Sequence, residues 1–158
     1  MAGRMEMVEL LSQHNADLSL RNPEGQSILH ISSLSGADDM VDFLLAKGVN
    51  SQLTDNYGRT PLWYAAYGKC SDRVFHALLK ACTHASVIES CGGSDDKMPT
   101  PLWAAVAGGF LDKASALLDH GADVGVRDKN GRTLLHRPEW ATSATVTELL
   151  LKYGADPW

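Results

Sequence analysis

The sequence predicts an all-α solenoid of stacked helix-turn-helix units joined by short β-hairpin turns. Two recurring signals predict it. A turn-to-helix signal appears at Ser27-Ile28-Leu29-His30, Thr60-Pro61-Leu62-Trp63, Thr100-Pro101-Leu102-Trp103 and Thr133-Leu134-Leu135-His136, in steps of 33, 40 and 33 residues. A helix-ending signal appears at Asn15-Ala16-Asp17, Gly48-Val49-Asn50, Gly121-Ala122-Asp123 and Gly154-Ala155-Asp156. Gly48 and Gly121 lie 73 residues apart, one step of 33 plus one of 40, so the two signals keep one register.

Each part of the unit has a mechanical reason. Thr60 and Thr100 cap a first helix, and the following proline lacks an amide hydrogen that the first turn would leave unpaired. Leu62 and Leu102 pack inward. The glycines at 48, 121 and 154 follow leucine-rich second helices, where the chain needs a left-handed residue to stop. Gly25, Gly58 and Gly131 fall where a hairpin turns back towards the next cap.

These motifs resemble the ankyrin-repeat family, whose unit is a β-turn and two helices on a 33-residue period with a Thr-Pro-Leu-His signature. The resemblance covers nearly all of the chain, read as one domain, 1–158, with units at about 1–22 (partial), 23–55, 56–95 (with an insertion), 96–128 and 129–158. The first unit has only its second helix: Met7-Val8-Glu9-Leu10-Leu11 lies 33 residues before Met40-Val41-Asp42-Phe43-Leu44. Ends without polar caps predict a segment cut from a longer array; the alternative is that Trp158 folds back as a cap. The continuous core is expected at Leu44, Leu45, Leu62, Leu78, Leu79, Leu102, Leu117, Leu118, Leu135 and Leu150.

Departures from the pattern are informative. The 40-residue step adds one residue within the third unit's helical pair and about six after it, mostly in the loop 83–96, which is expected to be the most mobile internal segment. That insertion either carries function or is merely tolerated. Trp63 and Trp103 stand where the motif has histidine, and packing is the expected role. In the last unit Arg137-Pro138-Glu139-Trp140 replaces the small pair seen as Ser32-Ser33, Ala65-Ala66 and Ala105-Val106, and Pro138 should leave that helix short, kinked or displaced.

Composition excludes little. The chain has 158 residues, 44% hydrophobic and 21% charged, with a net charge of −5 and no basic stripe, so neither nucleic acid nor a membrane is an expected partner. It has no signal-like apolar start and an odd three cysteines, which predicts an intracellular protein, cytoplasmic or nuclear. Cys70, His76, Cys82, His84 and Cys91 crowd one region, but without Cys-x-x-Cys or His-x-x-x-His spacing no metal is expected. No nucleophile elbow, phosphate loop or metalloprotease pair is present, and Asp38-Asp39 and Asp95-Asp96 fall at turns as solvated acids. The expectation is a non-enzyme without cofactor.

The resemblance implies a protein-binding module that uses its concave hairpin and first-helix face. A structural or sensor segment of a larger multidomain protein, and a small-molecule or nucleotide binder, are the alternatives. By position in the unit, the hairpin tips are Glu24, Gln26, Asn56, Tyr57, Arg59, Lys97, Lys129, Asn130 and Arg132, and the inner helical positions are Leu34, Ser35, Tyr67, Ala107 and Trp140. Tyr57, Arg59, Tyr67 and Trp140 are favoured because aromatic and arginine side chains dominate interface energies. The partner is another protein, whose identity this reading leaves open.

Overall fold

A computed structural model describes residues 2–82, 99–137 and 144–157. Its helices are α1 (Ala2–Gln13), α2 (Ile28–Ser35), α3 (Asp38–Ala46), α4 (Pro61–Tyr67), α5 (Asp72–Ala81), α6 (Pro101–Ala107), α7 (Leu111–Asp119) and α8 (Ala144–Lys152), with a 3₁₀ turn at Leu134–His136. Among the described residues β structure is confined to one isolated antiparallel bridge between Arg21 and Ser27, so the hairpins are turns rather than strands.

Each described hairpin is closed by a short polar side chain. Asp55 Oδ1 accepts the backbone N–H groups of Tyr57 (2.8 Å) and Arg59 (2.9 Å), and Asp128 Oδ1 accepts those of Asn130 (2.8 Å) and Arg132 (2.9 Å). Asn22 Oδ1 likewise accepts the N–H of Gln26 at 2.8 Å. Such turns need a left-handed residue before the chain returns, and Gly58 and Gly131 supply it at φ 76°.

The caps follow the chemistry of the motif. Thr60 Oγ1 accepts the N–H of Trp63 at 3.3 Å and Thr100 Oγ1 that of Trp103 at 3.4 Å, each with proline at the first turn. At Ser27 the arrangement is reciprocal: the Ser27 N–H donates to His30 Nδ1 at 3.1 Å. Because that nitrogen accepts, the ring proton sits on Nε2 and donates to the Arg59 carbonyl, 3.1 Å away.

Helices pair within each unit, α2 with α3, α4 with α5 and α6 with α7. First helices then stack along the array (α2 on α4, α4 on α6), and second helices do the same (α3 on α5, α5 on α7). The small pairs permit this closeness. Ala65, Ala66 and Ala105 are fully buried, and Ser32 and Ser33 are buried with their hydroxyls returned to Ile28 O (2.8 Å) and Leu29 O (2.7 Å).

The core contains eight of the ten expected leucines, together with Leu29, Trp63, Phe75 and Trp103. The packing role expected of the two tryptophans is what their burial shows. Leu45 and Leu135 are corrections, being only half-buried at the edge of the core. In the first helical segment of the last unit the buried leucine is Leu134, one position earlier, because a tight 3₁₀ turn rather than an α-helix carries it inward.

That 3₁₀ turn ends at His136, in keeping with the short helix that Pro138 predicts. Pro138, Glu139, Trp140, Trp158 and the loop 83–96 lie outside the described residues. The extra residue within the third unit is visible: α5 begins eleven residues after α4, whereas α3 and α7 begin ten residues after α2 and α6.

A buried cation ties these units together. Lys113, on α7, donates from Nζ to Ala65 O (2.8 Å) and Gly68 O (2.9 Å) at the carboxyl end of α4, where helix carbonyls lack partners. The rings of Phe110 and Phe75 lie 4.5 and 5.6 Å from the same nitrogen.

Candidate functional site

On the second hairpin and α4, four side chains form one stack. The guanidinium of Arg59 lies 4.9 Å from the centroid of Tyr57 and 4.5 Å from that of Trp63. Trp63 in turn stacks on Tyr67, with centroids 5.8 Å apart and planes 28° from parallel. Trp63 is buried and forms the floor, while Tyr57 and Tyr67 are exposed at the two sides. The turn at Asp55 fixes the ends of Tyr57 and Arg59, and the Thr60 cap fixes Trp63, so the stack is organised before anything binds.

Tyr64 braces this site from below. Its hydroxyl donates to Asp55 Oδ2 at 2.7 Å and accepts from Gln26 Nε2 at 2.7 Å, linking two successive hairpins. Burial, with the neighbouring Asp55 carboxylate, holds that phenol above its usual range. Asn56 also works between hairpins: its Nδ2 donates to Pro23 O at 2.8 Å and its N–H to Glu24 O at 3.0 Å.

None of the remaining candidate positions among the described residues contributes a ring or guanidinium to the stack. Lys129, Asn130 and Arg132 are exposed on the last described hairpin, with Arg132 Nε 3.3 Å from Asp128. Leu34 and Ser35 are exposed on α2, and Ala107 is half-buried on α6. Trp140 and Lys97 are outside the described residues. The structure therefore joins Tyr57, Arg59 and Tyr67 through Trp63.

Sequence reasoning favoured packing for Trp63, read Arg137 only as a departure from the small pair, and passed over Asp55, Tyr64 and Asp128. One signal was available: Asn22, Asp55, Asp95 and Asp128 recur at the same 33, 40 and 33 steps as the caps.

Reactive chemistry is scarce here. Burial pushes the Cys82 thiol up to about 11 and raises that of Cys70, which disfavours the thiolate in both. Asp38 Oδ1 accepts the Ser71 N–H at 3.2 Å, which ties this acid to the next unit. No group of three potential metal ligands occurs among the described residues, and no helix among them is long and apolar enough to cross a membrane.

The family model for ankyrin repeats (three copies) matches residues 1–87 and 77–158. The chain is similar to a putative palmitoyltransferase ZDHHC13 of Danio rerio, 29% identical over 94% of this chain and 22% of that protein. It is similar to an L-asparaginase of Dirofilaria immitis, 26% identical over 99% of this chain and 25% of that one. A B-cell lymphoma 3 protein homolog of Mus musculus is 29% identical over 95% of this chain and 33% of its own length. The chain thus spans a third or less of each of these relatives, two of which are named for unlike enzymes.

Proposed function

Because the chain belongs to the ankyrin-repeat family, whose repeats are generally protein-interaction modules, we propose that it binds another protein through its hairpin and first-helix face, centred on Tyr57, Arg59 and Tyr67. The observation that carries this reading is the stack itself: two exposed aromatic rings and an arginine held on a buried tryptophan. Rigid aromatic and arginine anchors bury much area at small entropic cost. Lys129, Asn130 and Arg132 would extend the contact along the array, and Asn56 would contribute the outer edge of its own hairpin. The reading assigns the chain no reaction, no cofactor and neither nucleic acid nor membrane as ligand. It places the protein in the cytoplasm or nucleus, supported by the thiols of Cys70 and Cys82, which are free.

A second reading has its own support. The relatives carry this region as a third or less of their length, which favours a binding or spacing segment serving a larger multidomain protein.

The test is partner capture by proximity labelling with the parent chain and with Tyr57→Ala and Tyr67→Ala. The reading expects partners recovered by the parent to be lost with both variants, each weakening the purified complex about fivefold or more at an unchanged melting temperature. Arg59→Ala is a poorer probe, since the guanidinium lies on both Tyr57 and Trp63 and its loss disturbs two rings at once. Equal recovery by all chains, with loss on deleting 83–96, would assign binding to the insertion.

A further inference from the structure

The hairpin and first-helix face carries two chemistries side by side. The first helices α2, α4 and α6 contain no Asp, Glu, Lys or Arg. On their last turns Leu34 and Tyr67 are exposed, and Ala107 continues the row half-buried. The close approach of α4 to α2 sets Leu34 near Tyr67: the N–H of Lys69, two residues past Tyr67, donates to Leu34 O at 3.3 Å. These positions form an uncharged, largely apolar strip across three stacked helices.

The hairpin tips beside that strip are basic, although the chain as a whole has a net charge of −5. Arg21, Arg127, Lys129 and Arg132 are exposed and Arg59 is half-buried, whereas Glu24 is the exposed acid of the described hairpins 21–27, 54–60 and 127–133. The other acids of those hairpins are turned inward. Asp55 is taken up by the N–H groups of Tyr57 and Arg59 and by the Tyr64 hydroxyl, and Asp128 by those of Asn130 and Arg132 and by the buried Arg137. Because the buried Asp128–Arg137 pair cancels, the exposed cations 127, 129 and 132 set the potential outside the last described hairpin.

The aromatic stack joins the two chemistries, running from Tyr57 at a hairpin tip through Arg59 and Trp63 to Tyr67 on the strip. Resting on the hairpin and first-helix reading given above, we propose that the partner presents an acidic amphipathic segment to this face. Its aromatic or aliphatic side chains lie on the Leu34 and Tyr67 strip, one carboxylate approaches Arg59, and a run of carboxylates meets Arg127, Lys129 and Arg132. The hairpins at 54–60 and 127–133 are two units apart, about 20 Å at ordinary helix spacing, which an extended chain covers in about six residues. The acidic run therefore lies about six residues from the apolar anchor. A phosphate backbone needs cations along its whole length, whereas here the cations adjoin an uncharged strip and Glu24, which favours a polypeptide over a nucleic acid.

The experiment selects phage-displayed random peptides of about 16 residues, long enough for both contacts, on the immobilised 158-residue chain. Selected peptides should be enriched in Asp and Glu about six residues from a Leu, Phe or Trp pair. The leading peptide, synthesised with fluorescein, should bind about tenfold more weakly at about 300 mM than at about 50 mM NaCl. Arg127→Glu combined with Lys129→Glu should weaken it about tenfold or more, and the milder pair Arg127→Gln and Lys129→Gln about threefold, which keeps the test decisive if the reversed pair does not fold. Selection that yields no peptides, or peptides without acidic enrichment, would overturn the proposal. So would affinity indifferent to both charge pairs, or a single-stranded polythymidylate that displaces the peptide at lower concentration and makes nucleic acid the ligand. Peptides that are lost with Tyr57→Ala and Tyr67→Ala but ignore the charge pairs would sink this proposal and leave the hairpin and first-helix reading standing. Acidic peptides that bind both tyrosine variants as tightly as the parent would sink the two together.

Discussion

Arg137 donates from Nη2 to Asp128 Oδ2 at 3.0 Å, in the place where, 73 residues earlier, Tyr64 donates its hydroxyl to Asp55 Oδ2 at 2.7 Å. Both donors are buried and both hold the aspartate that closes their own hairpin. A phenol has been exchanged for a guanidinium, and its charge is met by the carboxylate and by the Trp103 face 5.5 Å away. Arg137→Met should therefore cost about 2 kcal/mol, less than a wholly isolated buried pair because Arg132 remains beside Asp128. Arg137→Tyr should recover part of that loss in urea unfolding.

Acid sensitivity follows from the same carboxylate. Burial raises the Asp128 acidity constant's midpoint, but the N–H groups of Arg132 and Asn130 and the charges of Arg132 and Arg137 outweigh it and hold the carboxyl below 3.8. A lowered folded value means stability that is present above 3.8 and lost as pH falls through the folded value. Arg137→Met should flatten that acid limb.

His30 should impose a second dependence nearer neutrality. Burial lowers its value from 6.5, partly opposed by the hydrogen bond to the Arg59 carbonyl and by Asp55. The unfolded chain takes up a proton near 6.5 that the folded chain refuses, so its stabilising contribution is present above that pH and falls as pH drops towards the folded value. The slope should reach at most about 1.4 kcal/mol per pH unit, and His30→Gln should remove it. Urea midpoints at pH 7.5 and 5.5, set at about one unit either side of the reference value, give the measurement.

Gly68→Ala should destabilise by about 2 kcal/mol through crowding, since an added Cβ would lie 2.6 Å from Leu34 O and 2.7 Å from Tyr64 O, both backbone atoms. Gly48→Ala offers the contrast. Its Cβ would meet nothing within 4 Å, and its cost, about 1 kcal/mol, would come only from φ 73°. Equal effects of the two would refute the close approach of α4 to α2.

Leu102→Ala should cost about 2 to 5 kcal/mol, because Leu102 is buried on α6 between units that cannot collapse independently. A loss below about 0.5 kcal/mol would place it outside the core.

The register, the Thr60 and Thr100 caps, the hairpin glycines and most of the leucine core were determined by the sequence alone, because each depends on contacts within a few residues or on a repeat that copies them. The 3₁₀ turn at Leu134–His136 agrees with the shortened first helix that the sequence predicts for the last unit. Tertiary structure decided the rest. Nothing beside Lys113 in the sequence names its partners, which are carbonyls 45 and 48 residues earlier. Arg137 reads as a breach of the small-residue pattern until it reaches Asp128. Arg59 and Tyr67 were legible as surface positions, but their union on Trp63 depends on the angle at which hairpin and helix meet. Side-chain chemistry names the groups that need partners; only the stacking of the units brings those partners within reach.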